Sequence, residues 1–249
     1  MNAPRNRVVR VQYSKRGKVR FVSHRDMARA FERAIRLAGV PIAYSEGFSP
    51  RPRFAFGLAL PTTFESDAEF VDVVLAAPIE PADLPAALTA ALPDGIDVHD
   101  AAMVPPGSDS LQEAVTSSSW RLDVLGASPE QVQAWIESVV SAPTIEFTQE
   151  RKGKPVTSDI RPAVLSLQPA TEVADAGPPS AGPAVGIVAE LATKPRGLRP
   201  LELLHIFDPG YELLRGRRLT QWISPDGSRR ELTVSDAAAA TPHSELCAL

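Results

Sequence analysis

His24 and Asp26, with one residue between them, are the first place to look for chemistry in this 249-residue chain. An imidazole beside an orienting carboxylate has the composition of a general-base pair. The spacing argues otherwise, because residues two apart on a helix do not face each other. Asp26 also stands three positions after Ser23, where it completes a capping-box pattern at a helix start. His24 is therefore expected to be structural, or to donate to a phosphate. His99, His205 and His243 show no metal-ligand spacing, and the chain has no HExxH, CxxC, GxSxG or GxxxxGK motif. Glu65, Asp67 and Glu69 read as a solvated acidic rim rather than a metal site. Asp159 and Arg161 read as an ion pair fixing a turn before Pro162. The single cysteine, Cys247, excludes an internal disulfide and a cysteine-held zinc or iron–sulfur site within the chain. No catalytic residue, metal site or cofactor is expected.

Binding chemistry is more concentrated. Residues 1–60 hold 13 Lys/Arg against 3 Asp/Glu, and residues 61–120 hold 11 acids with no Lys or Arg, in a chain of formal charge −4. That split marks where an anionic partner would land. Turning about 100° per residue, a helix carries Arg25, Arg29, Arg33 and Arg36 within one arc of roughly 80°. Planar guanidinium forks match phosphate oxygens two at a time, so the face is a phosphate-tracking candidate. A merely solvated helix face is the alternative. Residues 44–53, YSEGFSPRPR, follow as a Gly/Pro-rich loop that interleaves Tyr44 and Phe48 with Arg51 and Arg53. Stacking faces beside positive charge are what single-stranded RNA binding uses. The alternative for Phe48 is a place in the core.

The elements that must position these groups can be read in order. Residues 7–13, RVVRVQY, predict a strand, and Val19, Phe21 and Val22 a short extended continuation. Met27, Ala30, Phe31, Ala34 and Ala38 predict the buried stripe of a helix that Ser23 starts and Gly39 ends. Strands are predicted over 53–60, 69–75 and 96–104, with a loop at 61–67 and a helix at 81–92. The order β-α-β-β-α-β is the ferredoxin-like pattern. Pro105, Pro106 and Gly107 mark a boundary, after which strands are predicted at 120–125, 145–147, 163–167, 184–191 and 211–223. Between them lie a helix capped by Ser128 and opened by Pro129, with Val132, Trp135, Ile136, Val139 and Val140 inward, and a short helix at 200–207. The fold class is α+β: two ferredoxin-like units in tandem, with antiparallel sheets and helices on one face. The N-terminal basic domain spans 1–107. The second spans 112–224 with a mobile insertion at 169–183, and residues 225–249 form a disordered tail.

Hydrophobic content of 44% with 22% charged residues is that of an ordinary globular protein. The N-terminus lacks the apolar core of a signal peptide, and no apolar run approaches the roughly 20 residues of a spanning helix. A cytoplasmic location without a membrane partner is expected.

The stretch KRGKVRFVSHRDMARAFERAIRLAGVP, then YSEGFSPRPRFAFGLALP and ESDAEFVDV, resembles a bacterial family. That family is the uncharacterised domain fused to the C-terminus of radical SAM proteins, or encoded separately as a radical-SAM-associated protein. The later SDIRP and the pair Arg199-Pro200 resemble its second-half signatures, and the resemblance covers about residues 7–207. One departure is Arg25, where the family pattern has Leu. The resemblance implies family-matched positions at Ser23, His24, Asp26, Arg29, Ser45, Gly47, Phe48, Pro50, Asp159, Arg161 and Pro162. It also implies a loose link to RNA, since free-standing members are described beside genes for a ribonuclease of the E/G type and ribosomal proteins. With Cys247 alone, the chain cannot carry the three-cysteine cluster motif, so radical chemistry would need a partner.

The candidate binding residues are therefore Lys18, Ser23, His24, Arg25, Arg29, Arg33, Arg36, Ser45, Gly47, Phe48, Arg51 and Arg53. Arg151, Lys152, Lys154, Asp159 and Arg161 extend the set from the second half. The expected function is a non-catalytic accessory protein that engages tRNA or rRNA and is linked to a radical SAM partner or to RNA processing. One alternative is a docking module for an acidic protein. Another is an enzyme acting on RNA, with His24 as acid or base beside Asp159 or Arg161.

Overall fold

The computed structural model describes residues 7–151, 153–171, 184–207, 211–225 and 227–236. Most of the predicted insertion and the tail beyond residue 236 lie outside the described residues. The chain opens with β1 (Arg7–Lys15), whose Val9, Val11 and Tyr13 alternate inward. After it come α1 (His24–Leu37), the short β2 (Phe54–Phe56), the long β3 (Glu65–Leu75), α2 (Leu84–Ala91) and β4 (Ile96–Val104). A single turn, α3 (Leu111–Ala114), leads into β5 (Val115–Leu125) and α4 (Pro129–Ser141). A hairpin of β6 (Glu146–Arg151) and β7 (Lys154–Asp159) precedes β8 (Val164–Pro169) and β9 (Ala184–Ala192). The last elements are α5 (Pro200–Phe207), β10 (Glu212–Ile223) and β11 (Arg230–Glu231).

One large sheet runs β4-β1-β3-β10-β5-β9-β8, and the β6–β7 hairpin stands apart from it. β2 joins β3 at the Val71–Val73 end, through Phe56 and Phe54, and β11 joins β10. Every named pair in the sheet is antiparallel except β3 with β10, parallel at Glu65–Arg217 and Ser66–Arg218. The protein is thus mixed α+β with a large, mostly antiparallel sheet, and β10 returns from the end of the chain to sit at its centre.

Three apolar clusters hold it together. α1 and α2 close over β4, β1 and β3 through Phe31, Ile35 and Leu88 against Val11, Val73 and Ile96. α4 and α5 close over β5 and β9 through Trp135, Ile136 and Leu203 against Trp120, Leu122 and Ile187. On another surface Phe70, Val115, Ile223, Leu232 and Val234 form the third. Leu232 and Val234 belong to the stretch read from sequence as a disordered tail. They are buried because β11 pairs with β10 and the backbone carbonyl of Asp236 accepts from buried Arg10 at 2.8 Å.

Several local expectations change. Residues 17–21 form a 3-10 turn instead of an extended strand, and Gly17, at φ +70°, makes the entry that a side chain would resist. The strand expected over 53–60 shortens to three residues. The expected loop at 61–67 is where β3 begins, at Glu65. Val140, placed in the buried stripe of α4, is 49% exposed.

Candidate nucleic-acid interface

α1 is well specified. Ser23 sits in extended conformation before it, and its Oγ accepts from the Asp26 amide at 3.2 Å while donating to Asp26 Oδ2 at 2.8 Å. Met27, Phe31, Ala34 and Ile35 are buried, and Gly39 at φ +67° ends the helix. Arg25, Arg29, Arg33 and Arg36 all face solvent. Arg29 pairs with Asp26 at 3.1 Å. The Ser23 hydroxyl and then this guanidinium hold the Asp26 carboxyl below its ordinary range. Arg25, Arg33 and Arg36 form no side-chain salt bridge among the described residues, although Arg25 is close enough to Asp26 to help hold its carboxyl ionised.

The adjoining loop is braced. Tyr44 bridges to Pro52, the Ser45 amide donates to the Arg51 carbonyl at 2.8 Å, and the Arg51 amide donates to Ser45 Oγ at 3.0 Å. Below it the Arg53 amide bonds the Ala43 carbonyl and the Ala43 amide bonds the Val74 carbonyl, rooting the loop on the end of β3. Gly47, at φ +119°, turns the tip. Phe48 is fully exposed, at 110% of its reference area, so the core alternative for it is rejected. Tyr44 is also exposed, at 54%, as are Arg51 and Arg53. Sequence reading missed one further aromatic: Phe21, taken for part of a strand, is 58% exposed and lies under the Arg20 guanidinium at 4.8 Å. The adjacent basic residue was the available signal. Lys18, in the same turn, is exposed.

Part of the charge split between residues 1–60 and 61–120 is internal: Arg10, Arg16 and Arg20 pair with Asp72, Asp67 and Glu65. Glu65, Asp67 and Glu69 are not a solvated rim: Glu65 and Glu69 are buried, and all three meet arginines, from the turn after β1 or from β10. Glu65 lies 3.7 Å from Arg20 and 3.3 Å from Arg217, Asp67 lies 2.7 Å from Arg16, and Glu69 lies 2.6 Å from Arg218. Asp72 holds Arg10 in a two-pronged pair. Within residues 1–60, Lys18, Arg33, Arg36 and Arg51 form no ion pair among the described residues.

His24 is exposed at the start of α1, its ring edge-on to Phe56 at 5.1 Å. It makes no hydrogen bond to Asp26, Asp159 or Arg161 among the described residues. Lys15, close by, is buried and donates to the carbonyls of Val22 at 3.0 Å and Arg20 at 3.4 Å; burial lowers its pKa. Asp159 and Arg161 are bound to backbone instead of to each other's side chains. Asp159 Oδ1 accepts from the Ile145 and Arg161 amides at 2.8 and 3.0 Å, which holds its carboxyl below the usual range. Arg161 donates to the carbonyls of Val164 and Val140 at 2.9 and 3.0 Å, tying α4 to the start of β8. Of the basic turn, Arg151 pairs in register with Lys154, and Lys154 is exposed. Lys152 and the side chain of Arg151 lie outside the described residues. No cluster of three or more metal-ligating side chains occurs among the described residues, and none of their helices is long and apolar enough to cross a membrane.

A family model described as an uncharacterised protein conserved in bacteria (DUF2344) matches residues 8–195. The chain belongs to this family. The family span takes in α1, the 44–53 loop, the β6–β7 hairpin and the Asp159–Arg161 corner, and it stops before α5 and β10. Among curated proteins, nothing matches the chain.

Proposed function

We propose that this protein engages RNA through the solvent face of α1 and the 44–53 loop, as an accessory that does no chemistry of its own. One observation carries the reading: Phe48 stands wholly in solvent at the tip of a hydrogen-bonded loop. A large apolar ring held out of the core by a braced backbone loses little entropy on meeting a partner, and every nucleobase offers it a π-face. Arg25, Arg33 and Arg36, none of them in a salt bridge among the described residues, supply phosphate contacts of the kind that give salt-dependent affinity. The proposed protein partner is a radical SAM enzyme working on the same RNA, a reading supported by the sequence motifs.

Filter binding to tRNA and rRNA fragments over a salt series tests the proposal. Arg33→Glu with Arg36→Glu should flatten the slope of log affinity against log salt by about 0.7 for each phosphate that the variant no longer neutralises. Unchanged binding by that double variant and by Phe48→Ala sinks it. Retention of an acidic protein that survives nuclease treatment would move the same face to protein docking.

We also propose that the architecture is two ferredoxin-like units in tandem. The strand orders β4-β1-β3-β2 and β10-β5-β9-β8 support two ferredoxin-like βαββαβ units, the second with the β6–β7 hairpin inserted after α4.

A further inference from the structure

A cleft of about 790 Å³, lined by no residue of α1, opens where the two halves meet. Its size is that of a small-molecule site. One wall is the segment after β2, with Leu60 and Pro61; the other is the approach to α5, with Leu198 and Leu201. Leu201 is 51% exposed, an apolar side chain left open on this wall. Arg218 lies in the lining over the Trp120 ring at 4.7 Å, its Nη atoms committed to Glu69, Leu58 O and Ala59 O, and its buried Nε without an acceptor. Arg199 is the exposed cation of the cleft. Its amide donates to Glu202 at 3.1 Å, and its guanidinium has no ion pair among the described residues. The first turn of α5 begins beside it, with Pro200 at its first position and the Glu202 carboxylate on the Arg199 amide.

Glu150 and Glu202 line the cleft as well, so the uncommitted Arg199 guanidinium sets where an anion can sit, and the apolar walls suit a flat, largely apolar body. We propose that the cleft holds one nucleotide, its base between the Leu60 and Leu198 walls and its phosphate at Arg199. The choice of a nucleotide over other organic anions rests on the RNA reading above. The site is separate from the arginine face, which would track the rest of the strand.

The test titrates the full-length protein with each of the four nucleoside 5′-monophosphates, followed by calorimetry and by Trp120-sensitive fluorescence. Saturable binding is expected, weakened about tenfold by Arg199→Ala and abolished by Ala59→Phe, which fills the cleft from an exposed position. Inorganic phosphate alone should compete only weakly. No saturable binding at millimolar nucleotide, or binding indifferent to both substitutions, overturns the proposal. RNA binding that depends on Arg33 and Arg36 in a protein that ignores mononucleotides would leave the RNA reading standing and remove only the cleft. Mononucleotide binding without RNA binding would do the reverse.

Discussion

Glu69 on β3 and Arg218 on β10 are 2.6 Å apart, both buried, and 149 residues separate them in sequence. The pair fastens the last long strand of the chain to one of its first. Removing one partner of such a pair strands the other charge in the interior, at a cost of about 3–5 kcal/mol, whereas replacing both with apolar groups can be nearly neutral. Glu69→Leu should therefore lower the urea midpoint sharply. Adding Arg218→Met to it should restore much of the loss. A double variant as unstable as the single one would show that the pair is not the reason for the effect.

Gly216 faces the Phe64 ring so closely that a Cβ would overlap it, and Phe64 is itself pinned edge-on to Trp120 at 5.7 Å. Gly216→Ala is expected to cost about 1–3 kcal/mol by overpacking, read as a drop in Tm. The paired change Phe64→Leu should relieve part of it.

Ser23→Ala removes the cap of α1 and should cost about 1 kcal/mol. It should also let the Asp26 carboxyl titrate closer to an ordinary aspartate, since the Ser23 hydroxyl is the leading cause of its depression. Carboxyl chemical shifts followed against pH measure this directly.

Asp159 has a pKa lowered in the folded state, first by the Ile145 amide and then by the Arg161 amide. Its ionised form therefore favours folding above the pKa of the unfolded chain. That contribution fades as pH falls through the folded value. The stability difference between wild type and Asp159→Ala should be constant at neutral pH and shrink in acid. A difference that does not change with pH would assign the effect to shape rather than charge.

Phe48→Ala should leave Tm unchanged, because the ring touches little of the fold, while weakening RNA binding by about 1–3 kcal/mol. A variant that unfolds more easily would mean that the ring is structural after all.

Much of the scaffold was legible in the sequence where the signal is local. The Ser23 cap, the Phe31 stripe and Gly39 outline α1, and β4 and α5 fall on their predicted residues. The start of β3 was not legible. Glu65, Ser66 and Asp67 look like loop residues, and what buries Glu65 and Ser66 is a strand some 150 positions later carrying Arg217 and Arg218. The candidate site divides the same way. The exposed arginines follow from helical periodicity, but whether Phe48 points in or out depends on hydrogen bonds between Ser45 and Arg51, which composition does not encode.

The central position of β10 bears on how the gene can be cut. The family match ends at residue 195, and a fragment trimmed to that limit would lose α5 and the strand between β3 and β5. Glu65 would be without Arg217, Glu69 would keep its place in the core without its counter-charge, and two sheet edges would lie open to pairing with other chains. The matched segment is thus shorter than the unit that folds, and an expression boundary for this protein belongs beyond Val234.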